Sequence, residues 1–237
     1  MLVLTPAANG VTSAPMTNAY LSDAPLGAFR TLSALVLASN SPRRRDLLGS
    51  LGLELEICPS NAPEPPPLPL EEPEAYAKRM ACLKTLDVAV LYPDCAVLGA
   101  DTIVVLPAEA GAGAQILGRP PQILGKPVDE TDALRMLTLL SGRAHQVITG
   151  CCLALPGQEN PISFAEVTEV VMRASRQEEL RAYIATGEPA DKAGAYAIQG
   201  LGAFLVERVM GSYTNVVGLP VAECARHLLD TGLIAAR

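Results

Sequence analysis

Two hydroxyl side chains and three guanidinium groups fall within the short segment Ser39-Asn40-Ser41-Pro42-Arg43-Arg44-Arg45. Because this segment follows the apolar run Leu35-Val36-Leu37, a buried strand is predicted to end here and a helix to begin over about 42–50. Ser41 is placed as the cap of that helix, with Pro42 at the first helical position, where a missing N–H costs nothing. The unpaired N–H groups of the helix start, the hydroxyls of Ser39 and Ser41 and the arginines together make an anion site, for which phosphate is the natural occupant. A solvated basic first turn is the ordinary alternative. Arginines, however, sit unfavourably at the positive end of a helix dipole, so a cluster of them there points to an anion supplied from outside.

Asp101 is the most informative carboxylate. It interrupts Val97-Leu98-Gly99-Ala100 and Ile103-Val104-Val105-Leu106, where an unpaired charge would cost on the order of several kcal/mol. It reads either as a strand-end aspartate paired with an arginine or as a general base or metal ligand. Thr102 follows on the opposite strand face. Glu64 stands among prolines, Lys84 on an otherwise apolar helix, and Lys126 in Leu124-Gly125-Lys126-Pro127. Alone, each reads as a solvated or snorkelling side chain, and the Gly125-Lys126 pair lacks the spacing of a P-loop. Gln199 lies in Asp191-Lys192-Ala193-Gly194-Ala195-Tyr196-Ala197-Ile198-Gln199-Gly200. Glycines there permit close backbone approach, and a glutamine amide offers a donor and acceptors suited to the edge of a base. An exposed glutamine at a glycine-rich junction is the plain alternative. His145 and His227 are lone and read as structural, and Arg143 marks a helix terminus.

The elements that must position these groups form an α/β pattern. Strands are predicted at about 34–38, 53–58, 97–106, 145–155, 163–172 and 203–210. Helices are predicted at about 42–50, 73–91, 129–141, 176–186 (opened by a capping box, Ser175 with Glu178) and 220–230. The proline-rich stretch 61–69 cannot be regular structure, and 107–121 reads as a Pro/Gly/Ala-rich surface insertion. Two strands joined by the turn at 156–161 make an antiparallel hairpin, so the sheet must be mixed. Residues 1–30 read as a loosely ordered extension and 31–237 as one domain.

Composition bounds the partners. The net charge of −7, with no Trp and three Phe, argues against a nucleic-acid or anionic-membrane surface. Six cysteines without C-x-x-C spacing, and two histidines, argue against zinc and for reduced thiols in a cytoplasmic protein. No leader or membrane-spanning run is visible.

In combination, Ala38-Ser39-Asn40-Ser41-Pro42-Arg43-Arg44, Gly99-Ala100-Asp101-Thr102-Ile103-Val104, Leu124-Gly125-Lys126-Pro127, Ser141-Gly142-Arg143, the 191–200 segment and Tyr213-Thr214-Asn215-Val216-Val217-Gly218-Leu219-Pro220 resemble the Maf family of nucleoside triphosphate pyrophosphatases. The resemblance implies a Maf/ITPase-like twisted mixed β-sheet with flanking helices, two lobes around a central cleft, and often a homodimer. It implies hydrolysis of a nucleoside triphosphate to the monophosphate and pyrophosphate with a divalent cation, Mg2+ or Mn2+. Asp101 then corresponds to the proton acceptor, and Ser39, Ser41, Arg43, Arg44, Lys84 and Lys126 to the phosphate-binding and catalytic set. Glu64 and Asp101 correspond to the metal side, although Pro63 replaces the family's usual acidic neighbour. Arg43, Thr102 and Gln199 are similar to the branch acting on dTTP and UTP, which extends the expectation to modified pyrimidine nucleotides and nucleotide-pool cleaning. A non-catalytic nucleotide-binding regulator of cell division is the alternative. A kinase is not supported, as no Walker A or kinase loop is present.

Overall fold

The computed structural model describes residues 27–107 and 121–237. The predicted insertion at 107–121 lies almost wholly outside these residues, as does most of the 1–30 extension. In chain order the elements are β1 (Phe29–Thr31), β2 (Leu35–Leu37), α1 (Pro42–Gly49), β3 (Glu56–Ile57), α2 (Pro73–Ala89), β4 (Ala96–Leu106), β5 (Gln122–Leu124) and α3 (Glu130–Leu140). They continue with β6 (Ala144–Ala154), β7 (Ile162–Met172), α4 (Gln177–Ile184), β8 (Val206–Met210), α5 (Tyr213–Val217), α6 (Val221–Asp230) and β9 (Ile234–Ala236).

The central sheet is mixed, in the order β3-β2-β4-β6-β7-β8, with β5 on the β2 side of β4. β2 runs parallel to β3 and β4, and the other pairings in this sheet are antiparallel. β1 and β9 form a separate antiparallel ribbon. β6 and β7 are the predicted hairpin, and β4 accepts β6 along its length, from Val97 opposite Ala154 to Val105 opposite Gln146.

On its other edge β4 is only partly covered. β2 pairs with residues 96–98 and β5 with 104–106, leaving 99–103 unpaired by either strand. That interruption is where the polar residues of β4 gather.

Alternation along β4 sorts its side chains between two apolar layers. Ile103 and Val105 pack with Ala77 beneath α2, while Leu98 and Ala100 pack with Leu48, Cys151, Leu219, Cys224 and Leu228 beneath α1 and α6. A third cluster joins Val104, Leu137, Leu140, Val147, Met172, Leu180 and Tyr196, so that α3 and α4 close the far end of the sheet. α2 sits unusually close to the sheet because glycines lie beneath it. A Cβ on Gly150 would stand 2.3 Å from the Ala77 carbonyl carbon, and one on Gly99 would stand 2.3 Å from Thr85 Oγ1.

Four local expectations are corrected. Ser41 occupies the cap position of α1 but makes no side-chain cap bond; its N–H instead donates to Ser39 Oγ at 3.2 Å. The strand predicted over 53–58 is paired only at Glu56 and Ile57; ahead of them the Glu54 backbone is bonded to the Thr31 hydroxyl, its N–H donating at 2.9 Å and its carbonyl accepting at 3.2 Å. α4 opens one residue later than the predicted box. The N–H of Ser175 is taken by Ser141 Oγ at 2.8 Å, and Glu179 accepts from the N–H of Arg176 at 2.7 Å. Finally, Leu201–Leu205 is a 3₁₀ turn before β8, held by the Glu188 carboxylate, which accepts from the N–H groups of Leu201 at 2.9 Å and Gly202 at 2.8 Å.

Candidate active site

The uncovered stretch of β4 forms the floor of a cleft of about 580 Å³. Its walls come from the β2–α1 turn, the proline-rich loop, the β5–α3 turn, the 191–199 segment and the end of α5. Every residue singled out in the sequence as a candidate (Ser39, Ser41, Arg43, Arg44, Glu64, Lys84, Asp101, Thr102, Lys126 and Gln199) lines it. Arg45 does not; it points outward beside Asp46 with its side chain 59% exposed. Neither histidine lines the cleft, nor does Arg143.

Asp101 faces α2. There Lys84 Nζ lies 2.5 Å from Asp101 Oδ1 and 2.7 Å from Glu64 Oε1, so one ammonium is shared by two carboxylates. The buried carboxylate expected from its apolar run is therefore paired, by a lysine from α2. The proline-rich loop is brought to this point by two anchors on α2. Asp87 accepts from Ser60 Oγ at 2.8 Å and from the Asn61 N–H at 2.9 Å, and Arg79 grips Glu71 through two bonds of 2.7 Å. Hydrogen bonding from Lys84 holds the Glu64 carboxyl below its ordinary value. Burial and the nearby Asp101 charge push the Tyr76 phenol up.

Thr102 faces the opposite side of β4, where Arg44 rests. The guanidinium donates from Nε to the Gly218 carbonyl at 2.7 Å, from one terminal nitrogen to Ser39 Oγ at 3.2 Å and from the other to Thr102 Oγ1 at 3.0 Å. All three acceptors are uncharged. Burial lowers the pKa of Arg44, with Asp101 acting in the opposite sense. A half-buried guanidinium that lines the cleft and is bonded to neutral oxygens keeps its charge available for an anion. On the far wall, Lys192 is 13% exposed and pairs with Asp191, while Gln199 and Lys126 are exposed at the rim.

The arrangement is a row of cations facing a carboxylate pair across an opening large enough for a nucleotide. The family model described as Maf-like protein matches residues 34–231. The chain belongs to the Maf family. It is 44% identical over 209 residues to the dTTP/UTP pyrophosphatase of Oleidesulfovibrio alaskensis, covering 88% of this chain and 90% of that one. It is 48% identical over 200 residues to the dTTP/UTP pyrophosphatase of Geobacter sulfurreducens, covering 84% and 97%. A dITP/XTP pyrophosphatase structure from Mycobacterium abscessus aligns with a TM-score of 0.38 at 14% identity, over 84% of this chain and 96% of that one.

Among the residues of this Maf cleft that were not singled out as candidates from the sequence are Asn40, Tyr76, Lys192 and Gly218. Lys192 had a signal, its place beside Asp191 at the head of the glycine-rich motif. Gly218 lay in the 213–220 motif, but nothing in its residue type marked it, since its contribution is a carbonyl oxygen. Among the described residues no helix is long and apolar enough to cross a membrane.

Proposed function

We propose that this Maf protein hydrolyses dTTP and UTP, and modified pyrimidine nucleotides of the same shape, to the monophosphate and pyrophosphate. One observation carries the chemistry: two carboxylates converge on a single cationic point in the same cleft as an arginine bonded to neutral oxygens. The family relatives named dTTP/UTP pyrophosphatase supply the substrate class.

The convergence of Glu64 and Asp101 on Lys84 also fits a divalent cation. Two hard oxygen donors already meet at one cation-sized position, and among the described residues no group of three or more His, Cys, Asp or Glu side chains offers an all-protein cage. That suits Mg2+ or Mn2+ completed by substrate phosphates and water. Held by Glu64 and Asp101 in place of the Lys84 ammonium, the cation would neutralise phosphate charge and polarise the phosphoryl oxygens, and would release Lys84 toward the phosphates.

The chain's own groups do the rest. Arg44, Ser39 and Ser41 receive the triphosphate at the start of α1, with Arg43, Lys126 and Lys84 adding charge around it. Asp101 takes a proton from the attacking water as its oxygen bonds to the α-phosphorus. The bond from that phosphorus to the bridging oxygen breaks, and pyrophosphate leaves with the electron pair. Gln199, Thr102 and Arg43, which line the same cleft, are the residues assigned to choosing the base and sugar.

The test is a panel of standard and modified nucleoside triphosphates with Mg2+ or Mn2+, scored for each product. Pyrophosphate plus monophosphate, highest for dTTP and UTP, is the expected result. Orthophosphate release, or no pyrophosphate from any member, would overturn the assignment.

A further inference from the structure

Behind Arg44 a chain of hydroxyls and one amide crosses the sheet, and the distances within it favour one arrangement of its protons. Thr149 Oγ1, fully buried, donates its single proton to the Asn215 carbonyl at 3.1 Å. The 2.9 Å contact between the two hydroxyls then runs from Thr102 to Thr149; the reverse direction would leave Thr102 only the longer 3.4 Å reach to the Gly218 carbonyl for its own proton. Thr102 has then spent its own proton, which leaves its oxygen as a pure acceptor toward Arg44 at 3.0 Å. Asn215 is fixed in turn. Its amide nitrogen donates to the Val147 carbonyl at 3.0 Å and to Thr168 Oγ1 at 2.9 Å, while its N–H donates to Ser212 Oγ at 3.2 Å. Thr168 accepts from Asn215 and passes its own proton to the Ser212 carbonyl at 3.2 Å. In this arrangement Thr102, Thr149 and Thr168 all donate away from the guanidinium.

The same asparagine acts on Arg44 by a second route. It sits in α5, which is capped by Gly218 with φ +127°, and the Gly218 carbonyl accepts from Arg44 Nε at 2.7 Å. Without the Thr149 acceptor, Thr102 would turn its proton toward the Gly218 carbonyl, now 3.4 Å away. It would then compete with Arg44 for that oxygen.

We propose that Thr149 and Asn215 are positioning residues, which orient the Thr102 hydroxyl and the Gly218 carbonyl so that both accept from Arg44 and aim its guanidinium at the substrate phosphates. This rests on the reading of Arg44 as a phosphate ligand. Neither residue lines the cleft, so the effect is exerted wholly through others.

Thr149→Val keeps the side-chain shape and removes the hydroxyl, whereas Thr149→Ser keeps the hydroxyl and removes a methyl. The Val variant is expected to raise KM for dTTP about tenfold, the scale of one hydrogen bond to a charged group, with kcat within about twofold. The Ser variant should retain native KM, and in an Arg44→Ala background Thr149→Val should have no further effect. A second readout does not need turnover. The Arg44 Nε–H signal in a nitrogen-15 spectrum should be sharp in the native protein and in the Ser variant, and broadened in the Val variant. Equal damage by Val and Ser, additivity with Arg44→Ala, or an unaltered Arg44 signal in the Val variant would each overturn the proposal. Absence of any nucleotide hydrolysis by the native protein would overturn the proposed function alone, because the spectrum still decides the positioning.

Discussion

Lys84 is held between Glu64 and Asp101, and this sets what a single substitution at Asp101 should do. Asparagine preserves the shape but cannot accept a proton from water, so Asp101→Asn is expected to lower kcat by about 10² to 10⁴, the usual contribution of a positioned general base. The arginine side of the cleft is untouched, and nucleotide binding measured by calorimetry should persist. Full turnover in that variant would remove Asp101 from the chemistry. At this scale the sequence was most legible. A charge inside an apolar strand and arginines at a helix start are local conflicts with folding rules, and such conflicts mark function. Glu64 was less legible alone, since an isolated glutamate among prolines becomes meaningful only once Asp87 and Glu71 tie its loop to α2. Thr149 and Asn215 carried no local conflict, because their roles depend on partners far along the chain.

Among the elements, α2 and β4 depend on each other through what is missing between them. Gly150 stands opposite Asp101 in the β4–β6 register, and any Cβ there would strike the Ala77 backbone. Gly150→Ala must push α2 outward, at a cost of about 1–3 kcal/mol as for other overpacked sites. It should also carry Lys84 away from Asp101. The expected outcome is a lower urea midpoint together with reduced kcat/KM, while Gly157→Ala, in an open turn with nothing near its Cβ, should spare kcat/KM. Long periodic elements were well placed by sequence: α3, β6 and β7 lie within a residue or two of their predicted bounds. The short ones were not. β1, β9 and α5 owe their existence to tertiary pairing and capping, and the segment before β8 curls into a 3₁₀ turn because Glu188 supplies the acceptors.

For the molecule as a whole, His145 couples stability to acidity. It is buried, with Nε2 2.8 Å from the Tyr196 hydroxyl and no partner at Nδ1 among the described residues, and burial pushes its pKa down to about 4 from 6.5. Between those values the unfolded chain binds a proton that the folded chain refuses, so stability falls as pH drops through that window. The full effect is about 3 kcal/mol. Urea unfolding of the native protein and of His145→Gln, compared from pH 7 to pH 4, should show the native curve falling more steeply. Parallel curves would remove His145 as the cause. Glu64, whose carboxyl is also held low, destabilises in the same direction on acidification, which is why the difference between the two proteins is the quantity to read.

The break in β4 between its β2 and β5 partners has a consequence for life at high concentration. An uncovered strand edge is what another polypeptide needs in order to add itself to a sheet and start an aggregate. Here the uncovered stretch, 99–103, is bounded by β2 at one end and β5 at the other, and side chains of both charge signs stand around it. An invading strand would find too few backbone partners and would have to bury those charges. The gap that admits a small polyanion therefore also resists self-assembly of the protein that carries it.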